Sequence, residues 1–298
     1  MKVISFALLF LLSTLPAFAN DIDQLQTKDD VKNFLIEKVN KKWKDWDLFE
    51  SNATDTARFG KNKFYKLDID NNGSTDLLID GEYFFAVIDN GDKTYGTHFI
   101  DRGTFLIDKH TLTNIIYKDK IPLLIVNDFD EYKRFPSDTA KSGWELRWNV
   151  VGSQTDTLIY KFGDFIEYNP RPDKLSIEEI KFSTTYCYGT CPVFELTIKA
   201  DRSATFNAIE YNDKKGKFKA TIDTASYNRL IQTINYIRLT SLNKNYSVGW
   251  TDDQTCTLKI KFNSGQTKEI SDYGLIGTYG LQNLYNQLFA LRETQKWK

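Results

Sequence analysis

Histidine, cysteine and methionine are scarce in this chain: two His, three Cys and one Met in 298 residues. The two histidines, His98 and His110, leave few routes to imidazole chemistry. Neither belongs to an H-E-x-x-H pair and no G-x-S-x-G elbow occurs, so neither a zinc-hydrolase helix nor a serine nucleophile elbow is spelled out. Both histidines read as surface or strand residues. Long apolar runs are also missing. The first, from Val3 to Leu12, is broken by Ser5 and is about half the ~20 residues a membrane-spanning helix needs, and no later segment is apolar enough to span a bilayer. Nor is there an excess of either charge: 39 Lys plus Arg face 40 Asp plus Glu. Without a basic stripe, nucleic acid is not expected as the main partner.

What is present begins at the amino terminus. Lys2 precedes the apolar run, Ser13, Thr14 and Pro16 end it, and Ala17-Phe18-Ala19 forms a small-x-small cleavage site before Asn20. This is the pattern of a secretory signal peptide, residues 1–19, cut after Ala19. No cysteine follows the run, so a lipoprotein anchor is not expected. The expectation is a periplasmic or secreted protein with no transmembrane anchor after cleavage. Removing Lys2 takes the formal charge from -1 to -2. The 21 Phe, 16 Tyr and six Trp favour sheet and supply ample core material.

The mature chain divides by pattern. Thr27-Lys28-Asp29-Asp30 has the form of a capping box. Val31, Phe34, Leu35, Val39, Trp43 and Trp46 follow at helical spacing and predict a helix with a core-facing stripe. From Lys63 to Tyr168 short strands alternate with Asn-Gly, Asp-Gly and Gly-Ser turns: Phe64 to Leu67, Leu77 to Ile79, Tyr83 to Ile88, Ile121 to Val126, Trp144 to Val151 and Thr157 to Phe162. Asn169-Pro170-Arg171-Pro172-Asp173 reads as a stiff linker. After it, strands centred on Ile180, Leu196, Phe206 and Phe218 precede a helix capped by Asp223. Two further strands, Cys256 to Phe262 and one reaching Ile270, lead to a last helix with Leu281, Leu284, Tyr285, Leu288 and Leu291 on one face. The fold class is α+β: a β-rich domain over 20–168 with one leading helix, a linker at 169–173, and a domain over 174–298 with an antiparallel sheet and two helices on one face.

Two short loops carry chemistry. Asp68-Ile69-Asp70-Asn71-Asn72-Gly73-Ser74-Thr75-Asp76 fits D-x-D-x-N-G-x-x-D, in which alternate oxygen ligands turn toward a hard cation. Asp68, Asp70, Asn72, Ser74 (through its carbonyl) and Asp76 are the candidate ligands for a structural Ca2+. An EF-hand would place a bidentate Glu where Ile79 stands, and a strand follows instead of a helix. The segment resembles the calcium loops that join strands in integrin-type propeller blades, over about a dozen residues and once only. The competing reading is a plain hairpin turn, for which Asp, Asn and Gly suffice.

The second loop is Cys187-Tyr188-Gly189-Thr190-Cys191-Pro192-Val193-Phe194-Glu195-Leu196. An oxidising compartment permits a disulfide between Cys187 and Cys191. Two reduced thiols, or a redox pair, are the alternatives, although C-x3-C is not the thioredoxin-like spacing. Cys256 falls on the apolar face of its strand and reads as a buried thiol, with pairing to either loop cysteine left open. From about Leu175 to Trp297 the chain resembles the bacterial family of domains of unknown function DUF6438. The resemblance rests on Cys187, Tyr188, Gly189, Thr190, Cys191, Pro192, Phe194 and Leu196, then Asp252 or Asp253, Asp272-Tyr273 and the closing helix. It implies a domain identity and a bacterial origin, and no activity. Three functions follow as expectations: a non-enzymatic module binding an envelope protein, peptide or glycan; a secreted hydrolase using paired carboxylates, for example on glycans; and a thiol-disulfide protein.

Overall fold

The computed structural model describes residues 20–46, 48–49, 63–100, 108–130, 153–249 and 251–298. The signal segment, residues 1–19, and the strand expected from Trp144 to Val151 lie outside the described residues. The described chain is β-rich and broadly α+β.

Thr27 caps α1 (Lys28–Phe34): its hydroxyl accepts from the Asp30 amide, and Asp30 accepts in return from Thr27. The single leading helix expected through Trp46 is not what forms. A π-helical turn (Leu35–Val39) follows α1, the chain is extended at Asn40, and a separate 3-10 turn (Lys41–Asp45) starts where Asn40 caps Lys42. The cap at Asn40 explains the break: its side chain takes the amide that a continuous helix would have bonded internally.

Sheet 1 runs β1 (Lys63–Leu67), β2 (Asp76–Asp80), β3 (Phe84–Asp89) and β4 (Tyr95–Phe99) as an antiparallel meander. Both faces of β2 and β3 are covered, which is why they read as continuous apolar runs rather than alternating ones. Leu77, Ile79, Phe85 and Val87 pack with Val31, Phe34, Leu35 and Trp43 of the helical layer. Leu78, Phe84, Ala86 and Ile88 face the other way, onto Leu112, Val126 and Leu158. Those belong to sheet 2: β5 (Asp108–Lys118), β6 (Ile121–Asp130), β7 (Ser153–Lys161) and β8 (Asp164–Glu167), again a meander. The strands β4, β5 and β8 were not read from the sequence. They are half-polar or short, so alternation does not single them out.

Sheet 3 contains β9 (Ile177–Thr184), β10 (Val193–Lys199), β11 (Ser203–Glu210), β12 (Gly216–Thr221), β13 (Asn245–Ser247), β14 (Thr255–Phe262) and β15 (Thr267–Tyr273). Its order is β12-β11-β10-β9-β14-β15-β13. Alternate residues of the strands form one core with α2 (Thr224–Tyr236) and α3 (Tyr279–Thr294). The expectation of a wholly antiparallel sheet is corrected at one edge, where β13 pairs parallel with β15. The reason is topological: the short connection from Ser247 to Thr255 makes β14 start at the end of the sheet where β13 finishes and run opposite to it, and β15, antiparallel to β14, therefore runs with β13.

Contacts cross the proline segment. The Asn169 amide N–H donates to the Tyr236 hydroxyl at 3.0 Å, and Asp173 N–H donates to the Asn235 carbonyl at 3.0 Å. Glu167, the last residue of β8, accepts from the Tyr279 and Gly280 amides at 2.7 and 2.9 Å, at the start of α3. Tyr279 itself packs into the core between sheets 1 and 2. Among the described residues no helix is long and apolar enough to cross a membrane.

Candidate functional site

The acidic loop joins β1 to β2. Asn71 and Gly73 adopt left-handed backbone (φ 60° and 90°), which turns the chain tightly enough to bring alternate side chains together. Asp68 accepts from the Asn72 and Gly73 amides at 3.0 Å each, and Asp70 from the Asn72 amide at 3.0 Å. The Asn72 oxygen accepts from Ser74 N–H at 2.7 Å, while its amide donates to the Asp89 carbonyl at 2.7 Å and so ties the loop to the end of β3. Asp76 is fully buried and accepts from the Ile69 and Asp89 amides at 2.7 and 2.8 Å.

Of the five expected ligands, Asp68, Asp70 and Asp76 each place a carboxylate oxygen within 4.8 Å of the others. Asn72 and Ser74 brace the turn through their own hydrogen bonds. Burial, with the Asp70 charge adding to it, pushes the Asp76 carboxyl up to about 7 despite the two backbone donors. Burial raises Asp70 as well. Three carboxylates converging in a partly desolvated place form a cluster whose charge a divalent cation would neutralise.

A cleft of about 360 Å³ opens beside this loop, lined by Asp70, Asn71, Tyr160 and Phe162 among others. Tyr160 ends a chain of polar contacts that the sequence did not indicate. Its hydroxyl lies 3.1 Å from His98 Nε2, and His98 Nδ1 lies 3.4 Å from Asp164 Oδ1. The three residues come from β7, β4 and β8, so the chain links sheet 1 to sheet 2. Burial first, then the Asp164 and Asp70 charges, raise the Tyr160 pKa. The phenol is therefore held protonated, the opposite of what a phenolate nucleophile requires. No sequence signal could have found this group, because Tyr160 lies 62 residues from His98 in sequence and only folding brings them together.

The cysteine loop lies elsewhere, between β9 and β10. Cys187 and Cys191 are joined by a disulfide with Cα atoms 5.8 Å apart. The loop is anchored on both sides. Thr184 donates to the Pro192 carbonyl at 2.7 Å, Gln254 donates to the carbonyls of Thr185 and Pro192 at 2.8 and 2.9 Å, and Tyr188 N–H donates to the Asp252 carbonyl at 2.8 Å. Its backbone is fixed while its side chains face out. Tyr188 is 91% exposed, Tyr186 57%, and Tyr211 of the β11–β12 turn 47%. Lys215, paired with Glu210 at 2.7 Å, sits near Tyr186 and Tyr211: Glu210 first, then the two phenols, raise its pKa. Cys256 is buried and free, and burial with the nearby Asp272 raises its thiol pKa, so it is inert. The lining of the 360 Å³ cleft includes the acidic loop and not the cysteine loop.

Residues 178–292 match the family described as Domain of unknown function (DUF6438). The match begins in β9, takes in the disulfide loop and ends in α3, leaving the N-terminal half outside it. No curated protein matches the chain.

Proposed function

We propose that this chain is an exported bacterial binding module, without enzymatic activity of its own, that contacts an envelope protein, peptide or glycan through the tyrosines around its disulfide loop. The observation that carries this reading is the exposure of Tyr186, Tyr188 and Tyr211 on backbone held by the Cys187–Cys191 bridge. Tyrosine on rigid backbone gives a partner large amphipathic contact area at little entropic cost. The disulfide suits the oxidising compartment to which residues 1–19 direct the chain.

In this reading residues 174–298 are the contact-bearing unit, a two-layer domain with both helices on one face of sheet 3. Residues 20–168 are its β-rich companion, joined through 169–173. Asp68, Asp70, Asn72, Ser74 and Asp76 hold a structural Ca2+ in that companion. The carboxylates of Asp68, Asp70 and Asp76, which the turn brings together, are the groups a cation would take.

The test is cosedimentation of the mature chain with purified peptidoglycan sacculi and, separately, with envelope membrane vesicles. The Tyr186→Ala/Tyr188→Ala/Tyr211→Ala variant is expected to bind at least about tenfold more weakly, since each exposed aromatic anchor contributes upward of ~1 kcal/mol. Equal binding by variant and parent would remove the tyrosine surface from the account.

A further inference from the structure

We propose a second contact site, independent of the tyrosines: the outer edge of β12 takes an acidic, extended segment of a partner protein as an added strand. β12 is the last strand of sheet 3 and pairs on one side with β11. On its other side Lys219 exchanges both main-chain bonds with Lys298, at 2.8 and 3.0 Å. At this one position the edge already makes main-chain bonds of the kind an added strand would make. The ladder alternates, so Lys217 and Thr221 present their main-chain groups to the same side as Lys219. The segment is held mainly by side chains. Trp297 lies 5.1 Å from Phe206 and donates to the Leu291 carbonyl at 2.9 Å, and Gln295 exchanges bonds with Asp223 at 3.0 and 2.8 Å.

A groove of about 340 Å³ runs alongside, with Phe206, Phe218 and Trp297 as its apolar part and Arg292 at its wall. It has room for one apolar side chain of an incoming strand. Arg292 is partly desolvated, which lowers its pKa, and it donates to the Asn212 oxygen at 3.1 Å and to the Phe289 carbonyl at 3.1 Å. Its other terminal nitrogen lies 3.5 Å from Glu293; with five N–H donors the guanidinium still has donors left for an incoming carboxylate. Lys214, Lys217, Lys219 and Lys296 surround the edge, against Asp213, Asp223 and Glu293, of which Glu293 pairs with Arg292 and Asp223 with Gln295. Lysines along an edge keep like strands away. They repel a second copy of β12 and admit a strand of opposite charge, which selects an acidic segment over a homodimer.

The experiment uses the mature chain and two fluorescein-labelled peptides, one alternating Glu with Val and the other Lys with Val. Anisotropy is expected to show the glutamate peptide binding about tenfold more tightly, with the difference shrinking at higher salt. Hydrogen exchange at Lys217–Thr221 slows on binding. Lys217→Glu/Lys219→Glu, at exposed positions where the fold is kept and checked by its melt, reverses the preference. Trp297→Ala loosens the resident segment and raises the affinity. Binding of neither peptide, equal binding of both, or an unchanged preference in the double variant overturns the proposal. So does a concentration-dependent dimer that places β12 against itself.

Discussion

Glu167 is where one substitution should reach both halves of the molecule. Its carboxylate accepts from the first two amides of α3, Tyr279 at 2.7 Å and Gly280 at 2.9 Å. The N-cap Thr278 serves only the Leu281 amide, at 3.2 Å. Glu167→Ala thus strips two charge-assisted bonds and leaves their donors short of partners. Each such bond contributes ~1.5 kcal/mol or more, and the carboxylate's interaction with the helix dipole overlaps with them rather than adding fully. The expected loss is about 3 kcal/mol. For a chain of this size that is a fall in Tm of roughly 6–12 °C. Glu167→Gln keeps a neutral acceptor and should fall about half as far. Gly280→Ala gives an independent check. In an open helix it would stabilise by up to ~1 kcal/mol. Here a Cβ runs into Ile237 and comes to 3.2 Å from Glu167 Oε2, so the substitution should destabilise. The assay is thermal unfolding followed by far-ultraviolet circular dichroism, which reports both halves, and by tryptophan fluorescence, which is weighted to the first half because four of the six Trp (Trp43, Trp46, Trp144 and Trp148) lie there. In the parent the two probes should coincide, and in Glu167→Ala they should separate. A Glu167→Ala melt within about 0.5 kcal/mol of the parent, with coincident probes, would refute the idea that this contact couples the halves.

Calcium should change the pH dependence of stability. Asp76 has its folded pKa raised to about 7, so without a cation the folded state keeps a proton that the unfolded state gives up. Chelated protein should therefore lose stability as pH rises from about 4 to about 7, by up to about 4 kcal/mol at ~1.4 kcal/mol per pH unit. Millimolar calcium should cancel that loss and raise Tm at neutral pH, and Asp70→Ala should abolish the response; identical melts with chelator and with calcium would reduce the loop to a turn. Replacing Cys187 and Cys191 by Ser should cost only about 2 kcal/mol, because the closed loop is short, yet weaken envelope binding as much as the tyrosine substitutions; full binding without the bridge would contradict its role in presenting them. Mass spectrometry of protein expressed with its leader should give a chain beginning at Asn20, whereas an intact Met1 chain in the cytoplasm would overturn the export proposal.

Much of sheet 3 was legible because one face is buried and the other open. Phe194, Leu196 and Ile198 alternate with Glu195, Thr197 and Lys199, and period two shows directly. β2 and β3 were legible for the opposite reason, as unbroken apolar runs between turns. β13 is three residues long and its pairing with β15 is set by tertiary packing, so nothing local marks it. The break at Asn40 was legible in principle: an Asn inside a helical pattern competes for backbone amides. In the acidic loop the spacing named Asp68, Asp70 and Asp76, whose carboxylates do converge, because alternate positions of a tight turn come together whether or not an ion is bound. The tyrosine surface was half visible. Tyr186 and Tyr188 flank Cys187 in a turn where no apolar face can bury them, but Tyr211 joins them only through the β11–β12 turn. The Tyr160–His98–Asp164 chain and the Glu167 cap depend on residues far apart in sequence and left no trace in it.

The account rests most heavily on the tyrosine loop as the contact surface. The most direct measurement replaces Tyr188 with the photo-crosslinking residue benzoylphenylalanine in cells that export the protein. Tyr117, 64% exposed on β5 and far from the loop in sequence, serves as the control position. On irradiation the account predicts a discrete adduct from position 188, lost when Tyr186 and Tyr211 are changed to Ala, and none of the same mass from position 117. No adduct from 188, or the same adduct from both positions, would contradict it.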